Sequence, residues 1–532
     1  MDHRTVELRL AGAAPLDRVE AWVAALGRVH AERRVLVLLD RPAGADAVAD
    51  ACAAAGVESG SGASEAGSVV VLARANDLPT PRSLERLVAA GGSGTVLETR
   101  VLPHGATLEE DGTTTGAPAG CLALPDLEPL AAARRATSVE DAAAAVRAAG
   151  ADVRRLDTAA VLLAGDGPAP TADPQPYGHP AALPATPLHQ LLVSTDLPTP
   201  ALPPTLEPRP LLSVITRTQG TRLLCLEETL TCLAGQTSRD FELLLACHRV
   251  APEQVDAVRG LLALFPEWLR ERTVVLEVGR EGRSAPLNDA LDRAAGRYAV
   301  VLDDDDTVAP DWVSAFAEAE SRGPGTVLRA VALAQDVRPV VGDPADGPAP
   351  VEVGAARRVW ASGFSMVDHL WDNDSPFMTV AFPRGVFSDL GRLFDEELHT
   401  NEDWAYLVDA AAVAGVTSTP RATSTYRLWT DAEGSRDLHD DETWSAARAA
   451  VLDAIDRGPV LLPPGAAHAV RDLHERLATE TEEKYRFAGL NEQAAADLVT
   501  VNEAVVALRA RIAQLEERLE RQRQRRRQQR DG

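Results

Sequence analysis

The sequence predicts an α/β protein with Rossmann-like, mostly parallel sheets, and three observations predict it. Val- and Leu-rich runs alternate with Ala-rich helical stretches over residues 5–165 and again over 211–430, the signature of strand–helix units. Tyr298–Leu302 is an apolar run ending in four consecutive acids, Asp303, Asp304, Asp305 and Asp306. It reads as a buried parallel strand, and open α/β sheets bind ligands at the carboxyl ends of such strands. The two blocks also repeat each other. The stretch from Val70 to Pro81 lies over Val300 to Pro310, Gly94-Thr-Val-Leu over Gly325-Thr-Val-Leu, and Leu122–Pro125 over Val380–Pro383, a self-similarity that points to two copies of one unit.

In chain order, residues 1–165 are expected to form the first α/β domain, with strands at Val6–Leu10, Val35–Leu39 and Val69–Leu72. In this copy Ala73 and Ala75 stand where the second has Asp303 and Asp305, so it is expected to be degenerate and to hold no metal. Glu140-Asp141, ahead of an Ala-rich helix, echoes Glu402-Asp403. Residues 166–209 are dense in proline and read as an extended or surface-draped linker. The second domain is expected over 210–435 and a helical extension over 436–489, broken near Leu461–Gly465.

Residues 490–532 read as a coiled coil with an Arg-rich tail. Leu498, Val501, Val505, Leu508, Ile512, Leu515 and Leu519 are spaced alternately three and four apart. Val505 and Ile512 fall at a positions and Leu508 and Leu515 at d, a choice that favours parallel dimers. Arg511 could pair with Glu516 of the partner. The arginines of 521–530 suit a solvated tail or peripheral contact with anionic lipid.

The net charge of −26 makes nucleic acid an unsuitable general partner and implies a self-repelling surface. No apolar run approaches the ~20 residues that span a bilayer, and the N-terminus lacks a signal-peptide pattern. Five cysteines without metal-ligand spacing read as reduced thiols, so a cytoplasmic setting is expected, at most at the inner face of the membrane. The single lysine, Lys484, is read as codon bias.

The four acids carry the chemistry. Like charges stacked at a strand end repel unless a cation neutralises them, and Mg²⁺ or Mn²⁺ takes carboxylate oxygens and completes its shell with substrate phosphates. The alternative is a polar loop in which Asp306 or Asp311 caps the helix from Trp312, which uses one acid and leaves three unexplained.

From Pro210 to Trp429 the chain resembles the family 2 glycosyltransferases of the GT-A fold. The resemblance is carried by Leu212-Ser-Val-Ile-Thr-Arg-Thr, Leu230–Thr237, Phe241-Glu-Leu-Leu-Leu, Gly282–Leu291 with Ala295–Tyr298, the DxD-like Leu302–Asp306, and Phe394–Trp404 with its Glu402-Asp403. It implies a metal-dependent, inverting enzyme that moves a sugar from a nucleotide-sugar donor to a hydroxyl of a carbohydrate or lipid-linked acceptor, in bacterial relatives by default in envelope glycan synthesis. It implies metal ligands at Asp303 and Asp305, a general base at Asp403 with Glu402 beside it, and donor contacts at Thr216, Arg217, Arg283, Asn288 and Asp304. Two departures matter. The acid that reads the base in relatives is missing, since the second strand ends Cys247-His248-Arg249; Cys247 or His248 could contact the base, or be a packed thiol and a solvent-facing histidine. Where relatives carry Tyr-Arg-x-His, this chain has Tyr426-Arg427-Leu428-Trp429, so a third metal ligand is absent unless His439 or His369 substitutes. A non-catalytic scaffold and a nucleotidyltransferase are the rival readings.

Overall fold

The protein is described here by a computed structural model covering residues 3–39, 45–60, 68–90, 95–102, 121–125, 127–162, 178–202, 209–341, 346–430, 441–457, 462 and 465–528. Two sheets form within one compact unit that ends at Pro463. The first is built from β1 (His3–Ala11), β2 (Ala31–Leu38), β3 (Glu58–Gly60), β4 (Val69–Arg74), β5 (Leu78–Pro79), β6 (Val96–Leu102), β7 (Leu122–Leu124) and β8 (Val153–Leu162). The second is built from β9 (Leu212–Thr218), β10 (Phe241–His248), β11 (Thr273–Val278), β12 (Tyr298–Val301), β13 (Thr307–Val308), β14 (Val327–Val341), β15 (Pro348–Arg357), β16 (Val380–Pro383) and β17 (Val416–Trp429).

The orders coincide. The first sheet runs β3-β2-β1-β4-β7-β6-β8-β5 and the second β11-β10-β9-β12-β16-β14-β17-β13, with β15 added on β14. Strand senses coincide as well: β7 is antiparallel to β4 and β6, as β16 is to β12 and β14, and β6·β8 is parallel like β14·β17. The central strands are apolar on both faces because helices cover both, as parallel sheets require; Val70, Val71, Val300 and Val301 are all buried. The expected repeat is therefore real.

Its register corrects the sequence match by one residue. Val71 pairs with Ala123 in the first sheet and Val300 with Ala381 in the second. At the far end, the Thr80 N–H donates to Ala160 O at 3.0 Å, and the Ala309 N–H to Thr423 O at 2.8 Å. Both ends place Arg74 and Asn76, rather than Ala73 and Ala75, opposite Asp303 and Asp305. Val-rich strands match themselves equally well at neighbouring offsets, so only hydrogen bonding resolves the slip. The acids are still missing from the first copy, and one is replaced by a cation. Gly94, part of the sequence match, lies outside the described residues.

The described part of the Pro-rich connection, residues 178–202, includes a short helix. Pro187–Ser194 is helical, with the Thr186 side chain accepting from the His189 N–H. Pro180–Leu183 is buried, and a Cβ on Gly325, whose φ is +78°, would stand 2.1 Å from the Leu183 side chain. A glycine is required there by both space and backbone conformation. Helix Asp441–Asp456 follows the second sheet.

The second compact unit, residues 464–532, contains one helix, Ala466–Gln528, of 63 residues. The seam residues from Leu498 to Leu519 are exposed in the single chain, from 38% at Val505 to 70% at Leu498. Among the described residues no helix is long and apolar enough to cross a membrane.

Candidate functional site

The acid loop follows β12, and Arg217 near the end of β9 crosses to it. Parallel pairing of β9 with β12 brings the two strand ends together. Arg217 Nε and Nη2 donate to the two oxygens of Asp303 at 2.8 and 3.2 Å, and Nη1 donates to Glu402 at 3.0 Å. Arg283 Nε donates to the same Glu402 oxygen at 3.1 Å. Residues far apart in sequence thus meet in one chain of charges, Asp303–Arg217–Glu402–Arg283. Burial raises the carboxyls of Asp303 and Glu402, but the guanidiniums outweigh it and hold both below their ordinary range.

The remaining acids divide by depth. Asp304 and Asp306 point inward. Asp304 accepts from the Thr218 hydroxyl at 2.6 Å, and burial, reinforced by Asp305, pushes it up to about 7. Asp306 accepts from the Arg427 N–H at 2.9 Å and is pushed well above the ordinary range by burial and Asp305. Asp305 faces outward and is held by two groups: Arg222 Nη1 at 2.7 Å and the Trp429 indole N–H at 2.9 Å, with Arg222 lying over the Trp429 ring at 5.6 Å. Neither expected cap forms. Asp311 precedes the helix from Trp312 without a side-chain cap, and Asp306 is spent on Arg427. The premise that only a cation could neutralise four acids is corrected too: Arg217 and Arg222 neutralise two, and burial disfavours ionisation of the other two.

Glu402 and Asp403 open helix Glu402–Ala414 after Asn401, whose φ is 62°. Acids are favoured in a first helical turn by its dipole, and the Asp403 carboxylate accepts from the Trp404 N–H at 2.8 Å. That is only part of its setting. Its second oxygen accepts from the Asn373 amide at 2.9 Å, and it is half-buried. Burial first, then the neighbouring Glu402, pushes it up to about 6. A carboxylate so placed holds its proton more tightly than an ordinary one.

Other expected site residues serve the fold. Asn288 is buried, and its amide is consumed by Phe394 O, Glu396 and the Phe394 N–H at 2.9–3.0 Å. Thr216 is wholly buried. Cys247 sits in the core at 1% exposure, so the packed-thiol alternative holds. His248 is half-buried, with Nε2 2.9 Å from Arg280 O. His369 is a core histidine stacked on Phe364 and hydrogen-bonded to Ser365 O and Ser375, which removes it as a substitute metal ligand. His439 lies outside the described residues. Sequence reasoning missed Arg222, Asn373 and Thr218. Trp429, noticed only as a departure, occupies the expected third-ligand position and binds a carboxylate instead.

A hard divalent cation fits this donor set in chemistry but not in number. Asp303 and Asp305 are the outward carboxylates, each shared with a guanidinium, and no group of three His, Cys, Asp or Glu suited to a metal occurs among the described residues.

The sheet of the second repeat, with an acid loop after its fourth strand, is of GT-A-like type. Residues 213–337, within the second repeat, match the family model described as Glycosyl transferase family 2. No curated protein matches the chain. Among solved structures it is similar to S. aureus TarS 1–349, at 18% identity over 41% of this chain and 60% of that one, with a TM-score of 0.31. It is also similar to the mannosyltransferase PcManGT from Pyrobaculum calidifontis, solved with GDP-Man and Mn²⁺, at 20% identity over 54% and 77% with a TM-score of 0.34. GalNAc-T7, solved with UDP, GalNAc and Mn²⁺, gives 16% identity over 51% and 58% with a TM-score of 0.32.

Proposed function

We propose that the protein transfers a sugar, with inversion, from a nucleotide-sugar donor to an acceptor hydroxyl. The observation that carries this is the junction of the acid loop with the start of helix Glu402–Ala414 through Arg217. It supports the reading in which a metal- and phosphate-type site lies beside a carboxylate whose affinity for protons suits a base. In this reading Asp403 accepts the acceptor's proton as its oxygen attacks the anomeric carbon, and Asn373 orients that carboxylate. Arg217 and Arg283 hold Glu402 ionised and line the path of the departing diphosphate. Asp303 and Asp305 would hold Mn²⁺ or Mg²⁺, whose chemistry is to neutralise that diphosphate, with phosphate oxygens filling the rest of its shell. The exposed seam of helix Ala466–Gln528 supports a parallel homodimer.

The self-neutralised acids favour one other reading, a scaffold that binds no donor. A thermal-shift screen of nucleoside diphosphates with Mn²⁺ and with chelator separates the two. Metal-dependent stabilisation is expected; no stabilisation by any of them would leave the scaffold.

A further inference from the structure

The first repeat supplies arginines to two adjacent buried glutamates on helix Leu223–Ala234 of the second. Arg82 and Arg86 reach Glu227 at 3.0 and 2.8 Å. Arg100, on β6 and 1% exposed, reaches Glu228 and Glu352, each at 2.5 Å. Neighbouring buried carboxylates would be costly without such partners. The two sets differ in where they lead. Arg82 and Arg86 join Glu227 to Asp346. The other oxygen of Glu228 accepts from Arg427 Nη2 at 2.5 Å. Arg427 Nη1 in turn donates to Asp305 O at 3.1 Å, and its N–H to the Asp306 carboxylate at 2.9 Å. Two residues along β17, Trp429 holds the Asp305 carboxylate itself.

We propose that Arg100 of the first repeat is a positioning residue for the acid loop of the second, acting through Glu228 and Arg427 on the backbone that presents Asp305. Its side chain is forked between Glu228 and Glu352, which only a guanidinium of fixed geometry achieves. Arg427, fixed by Glu228, then has one orientation from which to grip the loop. The first repeat thereby has work to do without binding any ligand. That the loop is held for donor binding rests on the proposed function; the mechanical link does not.

The test uses the full chain labelled with 5-fluorotryptophan. Its eight tryptophans include Trp429, whose ¹⁹F signal is assigned by its loss in Trp429→Phe. Arg100→Met is expected to shift or broaden the Trp429 signal while leaving those of Trp22 and Trp404 in place. Arg82→Met, which breaks the same interface at Glu227, is expected to leave it unmoved. Glu352→Gln, at a side chain 30% exposed and so safe for folding, is expected to give a smaller shift of the same signal. An unmoved Trp429 signal in Arg100→Met, or in Glu352→Gln if Arg100→Met does not fold, overturns the proposal. So does an equal shift in Arg82→Met, which would mean general loosening. In parallel, Mn²⁺-dependent binding of UDP or GDP should weaken about tenfold in Arg100→Met and not in Arg82→Met, the scale of coupling within one polar network. If wild type binds no nucleoside diphosphate, the glycosyltransferase reading fails while the ¹⁹F result still decides the link.

Discussion

Asp403→Asn should abolish turnover without weakening the protein. The carboxyl is pushed from an ordinary value of about 3.9 up to about 6, so its ionised form strains the fold. At about 1.36 kcal/mol per pH unit this amounts to ~3 kcal/mol. Solvent reaches the half-buried group and removes roughly half of that. The asparagine forfeits about one hydrogen bond, ~1 kcal/mol, because it cannot accept from both Asn373 and Trp404. The sum lies slightly above zero, so the melting temperature at pH 7.5 should stay within about 1–2 °C of wild type or rise. The sign follows from linkage. The native state holds the proton more tightly than the unfolded chain, so the ionisation cost is absent below pH ~4 and complete above about 6. The variant should therefore gain on wild type as pH rises through that window. Turnover, read as release of nucleoside diphosphate from the donor picked out by thermal shift, should fall ~10²–10⁴-fold. Wild-type turnover should decline as pH drops through about 6. Near-normal turnover in the variant refutes the base. A melting temperature lowered by more than about 5 °C, together with lost activity, would make Asp403 a structural cap.

Three further outcomes are expected. Asp305→Ala should eliminate Mn²⁺-dependent stabilisation by nucleoside diphosphates while the ligand-free melt changes little; undiminished binding in chelator would remove the acid loop from the site. Deleting residues 490–532 should convert a dimer to a monomer by light scattering with donor binding retained, and a full-length monomer at micromolar concentration would refute the seam. Glu140→Ala removes a partner of Arg74 whose side chain is 64% exposed and leaves Arg74 paired with Asp77, so it should cost under about 1 kcal/mol and leave nucleotide binding unchanged. Weakened binding would show that the first repeat touches the donor.

What was legible in the sequence was whatever local pattern encodes. Apolar runs ending in acids located β12 and its loop, the alternation of strands and helices located both sheets, and the three-four spacing located a continuous helix. The charge balance of the loop was not legible. Arg217 was legible only as a donor contact and Arg222 as an ordinary arginine, and only the pairing of β9 with β12 brings Arg217 to Asp303. Asn373 carries no sequence signal at all; it reaches Asp403 through a turn that ends at buried Ser375. Asn288 shows the converse error. Its place in a family pattern implied a donor contact, yet its amide is spent holding Phe394.

The repeat explains why one copy can keep the architecture and lose the chemistry. In the second repeat Asp303 and Glu402, both anionic, need Arg217 between them. In the first, Arg74 replaces Asp303 and meets Glu140 directly at 2.5 Å, while Ala11 falls where Arg217 stands. A three-membered bridge has become a two-membered one, closed on itself. Asp77, the counterpart of Asp306, is drawn in as well, 3.2 Å from Arg74. The second loop keeps four acids, two shared with guanidiniums at its rim and two that burial disfavours from ionising. The first keeps a single loop acid, Asp77, and shares its one arginine between that acid and Glu140.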